Sequence, residues 1–194
     1  MQTIYKDNNG THELSLEALL RGQRVIFLHG EITDAVAQDF ARQIFCFAMD
    51  DPSAPVKVFL DSPGGEIDAG LVIYDILQSS SVPIELNCIG HAYSMAAILL
   101  ASGQHGRYLL PHSKVMIHEP MIPYGIGVKT SSVQSIANAL VQTKTEMEEL
   151  LAKHTGQTPE KIAEVTRTDC FFTAEGAVEF GLADGIHGFR EMIG

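Results

Sequence analysis

Residues 56–80 read VKVFLDSPGGEIDAGLVIYDILQSS, and the order of features along them sets the fold class. Val56 to Leu60 is a short apolar run of strand type, Pro63-Gly64-Gly65 is a turn, and Ile67, Leu71, Tyr74 and Leu77 recur at helical spacing before the serine break. The same order stands on either side. Upstream, Arg24 to Leu28 closes at His29-Gly30, and Thr33 opens a stretch in which Val36, Phe40, Ile44 and Phe47 keep helical spacing. Downstream, Ile84 to Ile89 runs into Gly90 and is followed by Met95 to Ser102. Strands alternating with crossover helices predict an α/β fold with a largely parallel sheet and right-handed connections. Tyr108 to Leu110 and Val115 to Ile117 add two short strands.

The Met95-Ala-Ala-Ile-Leu-Leu-Ala segment is apolar on every side, which predicts a helix at the centre of the molecule and a rigidly held residue at its start. After His118 the chain changes character. Pro120, Pro123, Gly125 and Gly127 predict a loop, and Thr130 to about His154 reads as one long helix carrying Val133, Ile136, Leu140, Met147, Leu150 and Leu151. About 24 residues span roughly 36 Å, more than a core of this size covers, so part of the helix is expected to project and pack on another subunit. Thr158 with Pro159 starts a short helix to about Arg167, and Thr173 begins another that stops near Gly181.

The chain has 194 residues, 45% of them hydrophobic and only 19% charged, so it can bury a substantial core as one compact domain or two very small ones. Its 24 Asp and Glu against 13 Lys and Arg give a net charge of −11. No basic cluster offers a phosphate backbone a footing, and nucleic acid is not expected as a partner. The N-terminal residues lack a basic region followed by an apolar one, and no run reaches the roughly 18–20 apolar residues of a membrane span, so a cytoplasmic protein without a membrane partner is expected. Cys46, Cys88 and Cys170 are odd in number and widely spaced, which reads as buried thiols rather than a disulfide framework or a zinc knuckle.

Four places can carry chemistry. In Gly90-His91-Ala92-Tyr93-Ser94-Met95-Ala96 a serine sits at a strand-to-helix junction with small residues two before and two after it, the spacing of a nucleophile elbow with alanines in place of glycines. The alternative for Ser94 is a plain helix N-cap. Ser62-Pro63-Gly64-Gly65 can bring backbone N–H groups close to a ligand oxygen, or can be an ordinary tight turn. His118, at the end of an apolar strand and ahead of a proline-containing loop, is the best placed of eight histidines to act as a base, although a structural role is open to it. Asp169, ahead of Phe171-Phe172, can orient a histidine or cap a turn. No His-Glu-x-x-His and no carboxylate cluster at ligand spacing occurs, so no metal site is expected.

Read together, the residues resemble the Clp protease proteolytic subunit family (ClpP), serine peptidases of the crotonase-like superfamily. The likeness runs from about Arg24 to Ile186. It includes Phe59-Leu-Asp-Ser-Pro-Gly-Gly65, Ala69-Gly70 with Ile73-Tyr74-Asp75, Gly90-His-Ala-Tyr-Ser94-Met95, Leu110-Pro111, Val115-Met-Ile-His118-Glu-Pro120, His154-Thr-Gly-Gln157, and Asp169-Cys-Phe-Phe-Thr-Ala-Glu175 with Gly181-Leu-Ala-Asp184. The resemblance implies a ClpP/crotonase-like fold of repeated ββα units with a projecting handle helix. It implies Ser94 as nucleophile, His118 as base and then acid, Asp169 as the orienting carboxylate, and the N–H groups of Gly65 and Met95 as the oxyanion hole.

The resemblance further implies one peptidase domain, with residues 1–20 as an axial segment and about 120–154 as the handle. It implies an endopeptidase that cuts unfolded polypeptides inside a barrel of one or two heptameric rings. An AAA+ unfoldase of the ClpX, ClpA or ClpC type feeds the barrel and consumes the ATP, so no cofactor is expected in this chain. Residues 1–20 match the family poorly. Arg167-Thr168-Asp169 stands where the family carries acidic-Arg-Asp, Lys57 and Phe59 stand at positions that often hold docking aromatics, and His91, Tyr93, Ala96 and Glu119 differ from the usual residues. These departures imply a divergent paralogue, with Tyr93 reshaping the pocket beside Ser94 and with a ring shared with a second ClpP subunit as one arrangement. The alternative function is a silent or partner-activated structural paralogue. A crotonase-fold acyl-CoA enzyme is the third and weakest reading.

Overall fold

The computed structural model describes residues 2–7, 10–121 and 133–194. The expected Pro123, Gly125 and Gly127 loop and the first residues of the expected long helix lie outside the described residues.

Three consecutive strand–helix units build the core, in the order the sequence predicts. Strand β3 (Val25–His29) leads to α2 (Asp34–Asp50), β4 (Val56–Ser62) to α3 (Ile67–Ser79), and β5 (Ile84–Tyr93) to α4 (Met95–Ala101). Thr33 caps α2 by accepting from the Val36 N–H, and Phe40, Ile44 and Phe47 are the buried stripe beneath it. Strands β3, β4 and β5 are parallel neighbours. All seven residues of α4 are buried, as a helix apolar on every side must be when it packs at the centre.

Strand β5 runs four residues beyond the expected Ile89. Gly90 permits this, since a Cβ there would collide with the Asp61 carboxylate, which accepts the next N–H, that of His91, at 2.9 Å. The prolonged strand splits the sheet. Its first part pairs in parallel with β6 (Arg107–Leu109), and its last three residues pair with β7 (Lys114–Ile117). Beside β7 lies β8 (Cys170–Phe172), antiparallel to it, and β9 (Gly185–Ile186) extends the β6 edge of the seven-stranded sheet.

The long helix is α5 (Val133–Thr155), and its only buried residues are Met147 and Leu151. Its N-terminal half therefore carries Val133 and Val141 into the open with no core beneath them, as its polar face predicts. Helices α6 (Pro159–Thr166) and α7 (Ala174–Phe180) start on the expected caps, Thr158 and Thr173, and Gly181 ends α7 in the left-handed conformation.

An antiparallel hairpin of β1 (Gln2–Asp7) and β2 (Gly10–Ser15), a short α1 (Leu16–Gly22) and a C-terminal α8 (Phe189–Ile193) complete the chain. Lys57 donates to the Met192 carbonyl at 2.8 Å and so ties α8 to the sheet, while Phe59 is buried and stacks on the half-exposed Phe27. The expectation of three buried thiols is corrected. Only Cys88 is buried, Cys170 is intermediate and Cys46 is exposed on the outer side of α2. Burial pushes the Cys88 thiol up to about 11, which leaves it protonated and inert.

Candidate active site

The N-terminus of α4 meets the C-terminal ends of β5 and β7. Ser94 occupies the junction at φ 54°, ψ −125°, one of two non-glycine residues with positive φ among those described. Such a conformation is strained by about 1–3 kcal/mol and persists only where surrounding packing enforces it. The packing is visible: the Ser94 N–H donates to the Met116 carbonyl of β7 at 2.8 Å, and Gly64 lies directly behind, where a Cβ would stand 2.8 Å from the Ser94 Cβ. Although it occupies the N-cap position, its side chain makes no cap bond. Its Oγ lies 2.8 Å from Nε2 of His118 instead. The Ser94 side chain therefore serves no capping role.

His118 follows β7 directly and its side chain is mostly buried. Because β7 and β8 are antiparallel with Ile117 opposite Cys170, the next facing pair is His118 and Asp169. The register delivers the expected neighbour, but the contact is loose. Nδ1 of His118 and Oδ1 of Asp169 are 3.6 Å apart, beyond hydrogen-bond range, and the Asp169 side chain is 62% exposed.

Gly65 forms a parallel bridge with Ile32 in which the Ile32 N–H donates to the Gly64 carbonyl and the Glu66 N–H donates to the Ile32 carbonyl. That pattern turns the Gly65 N–H away from Ile32. A Cβ on Gly65 would strike the Ile32 backbone, which explains glycine there. Met95 is the first residue of α4, and N–H groups in a first helical turn have no partner within the helix. The two candidate donors therefore flank Ser94, one on the turn behind it and one on the helix after it.

Ile67, Met95, Ile98, Pro120 and Met147 line a small apolar cavity of about 20 Å³ against Ser94 and His118. Tyr93 is not among its walls, which corrects the expectation that it reshapes this pocket. Tyr93 packs instead on His91 and edge-on to Phe171. His91 in turn places Nδ1 2.6 Å from the Asp61 carboxylate. The sequence reading missed this pair because its residues lie on different strands. It also missed Lys144, which makes a 2.5 Å ion pair with Glu119, the neighbour of His118. Among the described residues no group of three or more His, Cys, Asp or Glu could hold a metal ion, and no helix is long and apolar enough to cross a membrane.

A mixed α/β core that seats a serine on a strained strand-to-helix turn, in contact with a histidine from the adjacent strand, has the makings of a hydrolase site. Comparison with known proteins gives the family. The sequence model of the Clp protease family matches residues 8–190. The chain is 39% identical over 171 residues to the ATP-dependent Clp protease proteolytic subunit 2 of Rhodococcus jostii, covering 88% of this chain and 86% of that one. It is 38% identical over 190 residues to the protein of the same name in Streptomyces coelicolor, covering 97% and 87%. The chain belongs to the Clp protease family, as a divergent ClpP paralogue.

Proposed function

We propose that this chain is a serine endopeptidase subunit of an ATP-dependent Clp protease. The observation that carries the proposal is the 2.8 Å contact between Ser94 Oγ and His118 Nε2 at a strained strand-to-helix turn. In this reading Ser94 Oγ attacks the scissile carbonyl carbon while its proton passes to His118 Nε2, and the carbonyl oxygen takes up negative charge between the N–H groups of Gly65 and Met95. Collapse of this intermediate breaks the C–N bond as His118 returns the proton to the leaving amine. Water, deprotonated by the same imidazole, then hydrolyses the acyl-Ser94 ester. Asp169 holds the imidazolium.

The exposed face of α5, with Val133 and Val141 uncovered, supports packing on a second copy and hence a ring assembly, single or stacked. Family membership supports an AAA+ unfoldase partner that supplies unfolded polypeptide and uses the ATP, with no cofactor in this chain. The whole chain forms one peptidase domain with residues 1–20 as an axial segment, about 120–154 as the handle, and a cytoplasmic location.

Fluorophosphonate labelling followed by peptide mapping tests the assignment. A single adduct on Ser94, absent in Ser94→Ala together with peptide cleavage, is the expected result. Cleavage retained in Ser94→Ala would end the proposal. The 3.6 Å gap between His118 and Asp169 favours a second reading, a paralogue whose site closes only beside a partner subunit. That reading predicts an adduct that forms only after the partner is added.

A further inference from the structure

Glu119 leaves β7 immediately after His118, and its Oε2 accepts a hydrogen bond from Lys144 Nζ of α5 at 2.5 Å. Lys144 Nζ also lies 3.8 Å from Oε1 of Glu148, a buried oxygen with no hydrogen-bond partner, on a side chain only 15% exposed. From the other side the Glu119 N–H donates to the Thr166 carbonyl at 2.9 Å, and the charge of Arg167, one residue further on, acts on both Glu119 and Lys144. The hydrogen bond from Lys144, and then its charge, hold the Glu119 carboxyl below the usual carboxylate range. Three elements meet in this cluster, and each carries part of the site. His118 adjoins Glu119, Met147 of the apolar cavity is three residues from Lys144 on the same face of α5, and Asp169 follows Arg167 by two residues.

We infer that Glu119 and Lys144 are a positioning pair, which clamps the end of β7 to α5 and so sets where the His118 imidazole stands between Ser94 and Asp169. The inference rests on the peptidase reading above. Both side chains are about two-fifths exposed, so the pair contributes little to global stability. Its leverage is geometric. His118 holds Ser94 at 2.8 Å, while its distance to Asp169 is roughly 0.4 Å beyond the outer limit of an N–H···O bond. A shift of a few tenths of an ångström at the end of β7 therefore decides whether the imidazole serves both partners. Neither residue touches the reacting atoms, so its removal should lower the rate and leave binding and stability almost alone.

The test compares Lys144→Met, Glu119→Gln, their double variant and the conservative Lys144→Arg in the full-length assembled protein. Four quantities are read: the rate of Ser94 acylation by a fluorophosphonate, kcat and KM on a short fluorogenic peptide, and Tm. Each single variant is expected to acylate about fivefold more slowly with a matching drop in kcat, well short of the roughly 100-fold loss that a 1 Å misplacement brings. KM should stay within about twofold, and Tm within about 2 °C, the shift expected of a minor surface contact. Lys144→Arg should restore the rate, and the double variant should be no slower than either single one, as residues acting through one contact are non-additive. Wild-type rates in Lys144→Met, or additive losses in the double variant, would overturn the inference. The Ser94→Ala control separates the two levels. If it still cleaves peptide the peptidase reading fails, whereas a dead Ser94→Ala beside a fully active Lys144→Met removes only the positioning role.

Discussion

Gly64 is the residue on which the geometry of Ser94 most directly leans, and Gly64→Ala isolates that dependence. Gly64 has φ +94°, and a Cβ built on it would lie 2.7 Å from the Tyr93 carbonyl oxygen, 2.8 Å from the Ser94 Cβ and 3.0 Å from the Met95 nitrogen. Non-bonded carbons rest at about 3.5–4.0 Å, so the methyl must push the Ser94 turn away by roughly 0.7 Å, and all three obstructing atoms belong to the junction that holds the nucleophile. Two terms add. The left-handed backbone penalises alanine by about 1 kcal/mol, and displacement of the nucleophile approaches the 1 Å error that costs about 100-fold in rate.

Gly156 supplies the control. It has φ +72°, but nothing lies within 4 Å of its Cβ position, so Gly156→Ala incurs only the backbone term. Both variants should lose about 2–4 °C in Tm from strain, with a further loss in Gly64→Ala. Only Gly64→Ala should lose fluorophosphonate reactivity at Ser94, by about 10- to 100-fold. Equal labelling rates in the two variants would refute the argument that the glycine turn holds Ser94 in place.

Two further outcomes follow from the packing around His154 and Arg107. His154 is pulled from its ordinary value down to about 4, first by burial and then by the charges of Lys153 and Arg107, while its Nε2 pairs with the Tyr74 hydroxyl at 2.9 Å. Above its unfolded pKa of about 6.5 neither state binds the proton, and below it the unfolded chain takes one up that the folded chain refuses. Stability should therefore fall between pH 6.5 and 4, by about 1–2 kcal/mol after allowance for partial exposure. Urea midpoints measured across that range should show a shallower slope in His154→Gln. Nη1 of Arg107 donates to the carbonyls of Ala101, His154 and Gly181, at or just beyond the ends of three helices, while the same guanidinium pairs with Asp184. Arg107→Met leaves those acceptors without their cation, and a loss of about 3 kcal/mol is expected, read as a lower Tm, whereas an unchanged Tm would show that water satisfies them.

Much of the fold is carried by local pattern. Each strand–helix unit announces itself through an apolar run, a glycine turn and apolar residues at helical spacing, because neighbouring residues alone fix those periodicities. The all-apolar Met95 segment could only be central, and Thr33, Thr158 and Thr173 each cap the helix they were expected to begin. The hairpin of Gln2–Asp7 with Gly10–Ser15, the short β8 and the extension of β5 to Tyr93 escaped that reading. Their pairing depends on partners and on contacts such as Asp61 with the His91 N–H, which lie outside any local window.

The sequence by itself determined the parallel α/β core, the serine at a strand-to-helix junction and the family, since each rests on the order of residues along the chain. The tertiary structure decided what that serine touches. Strain at Ser94 exists because Gly64 and Met116, from separate segments, close on it. The facing of His118 and Asp169 comes from an antiparallel register, and their 3.6 Å separation from packing around the end of β7. Tyr93 is adjacent to the nucleophile in sequence yet packs on His91 and Phe171 and does not line the cavity beside Ser94, and Lys144, 50 positions from Ser94, joins the residue next to His118. Sequence separation fixes neither distance nor contact partner. Both emerge only when the strands pair.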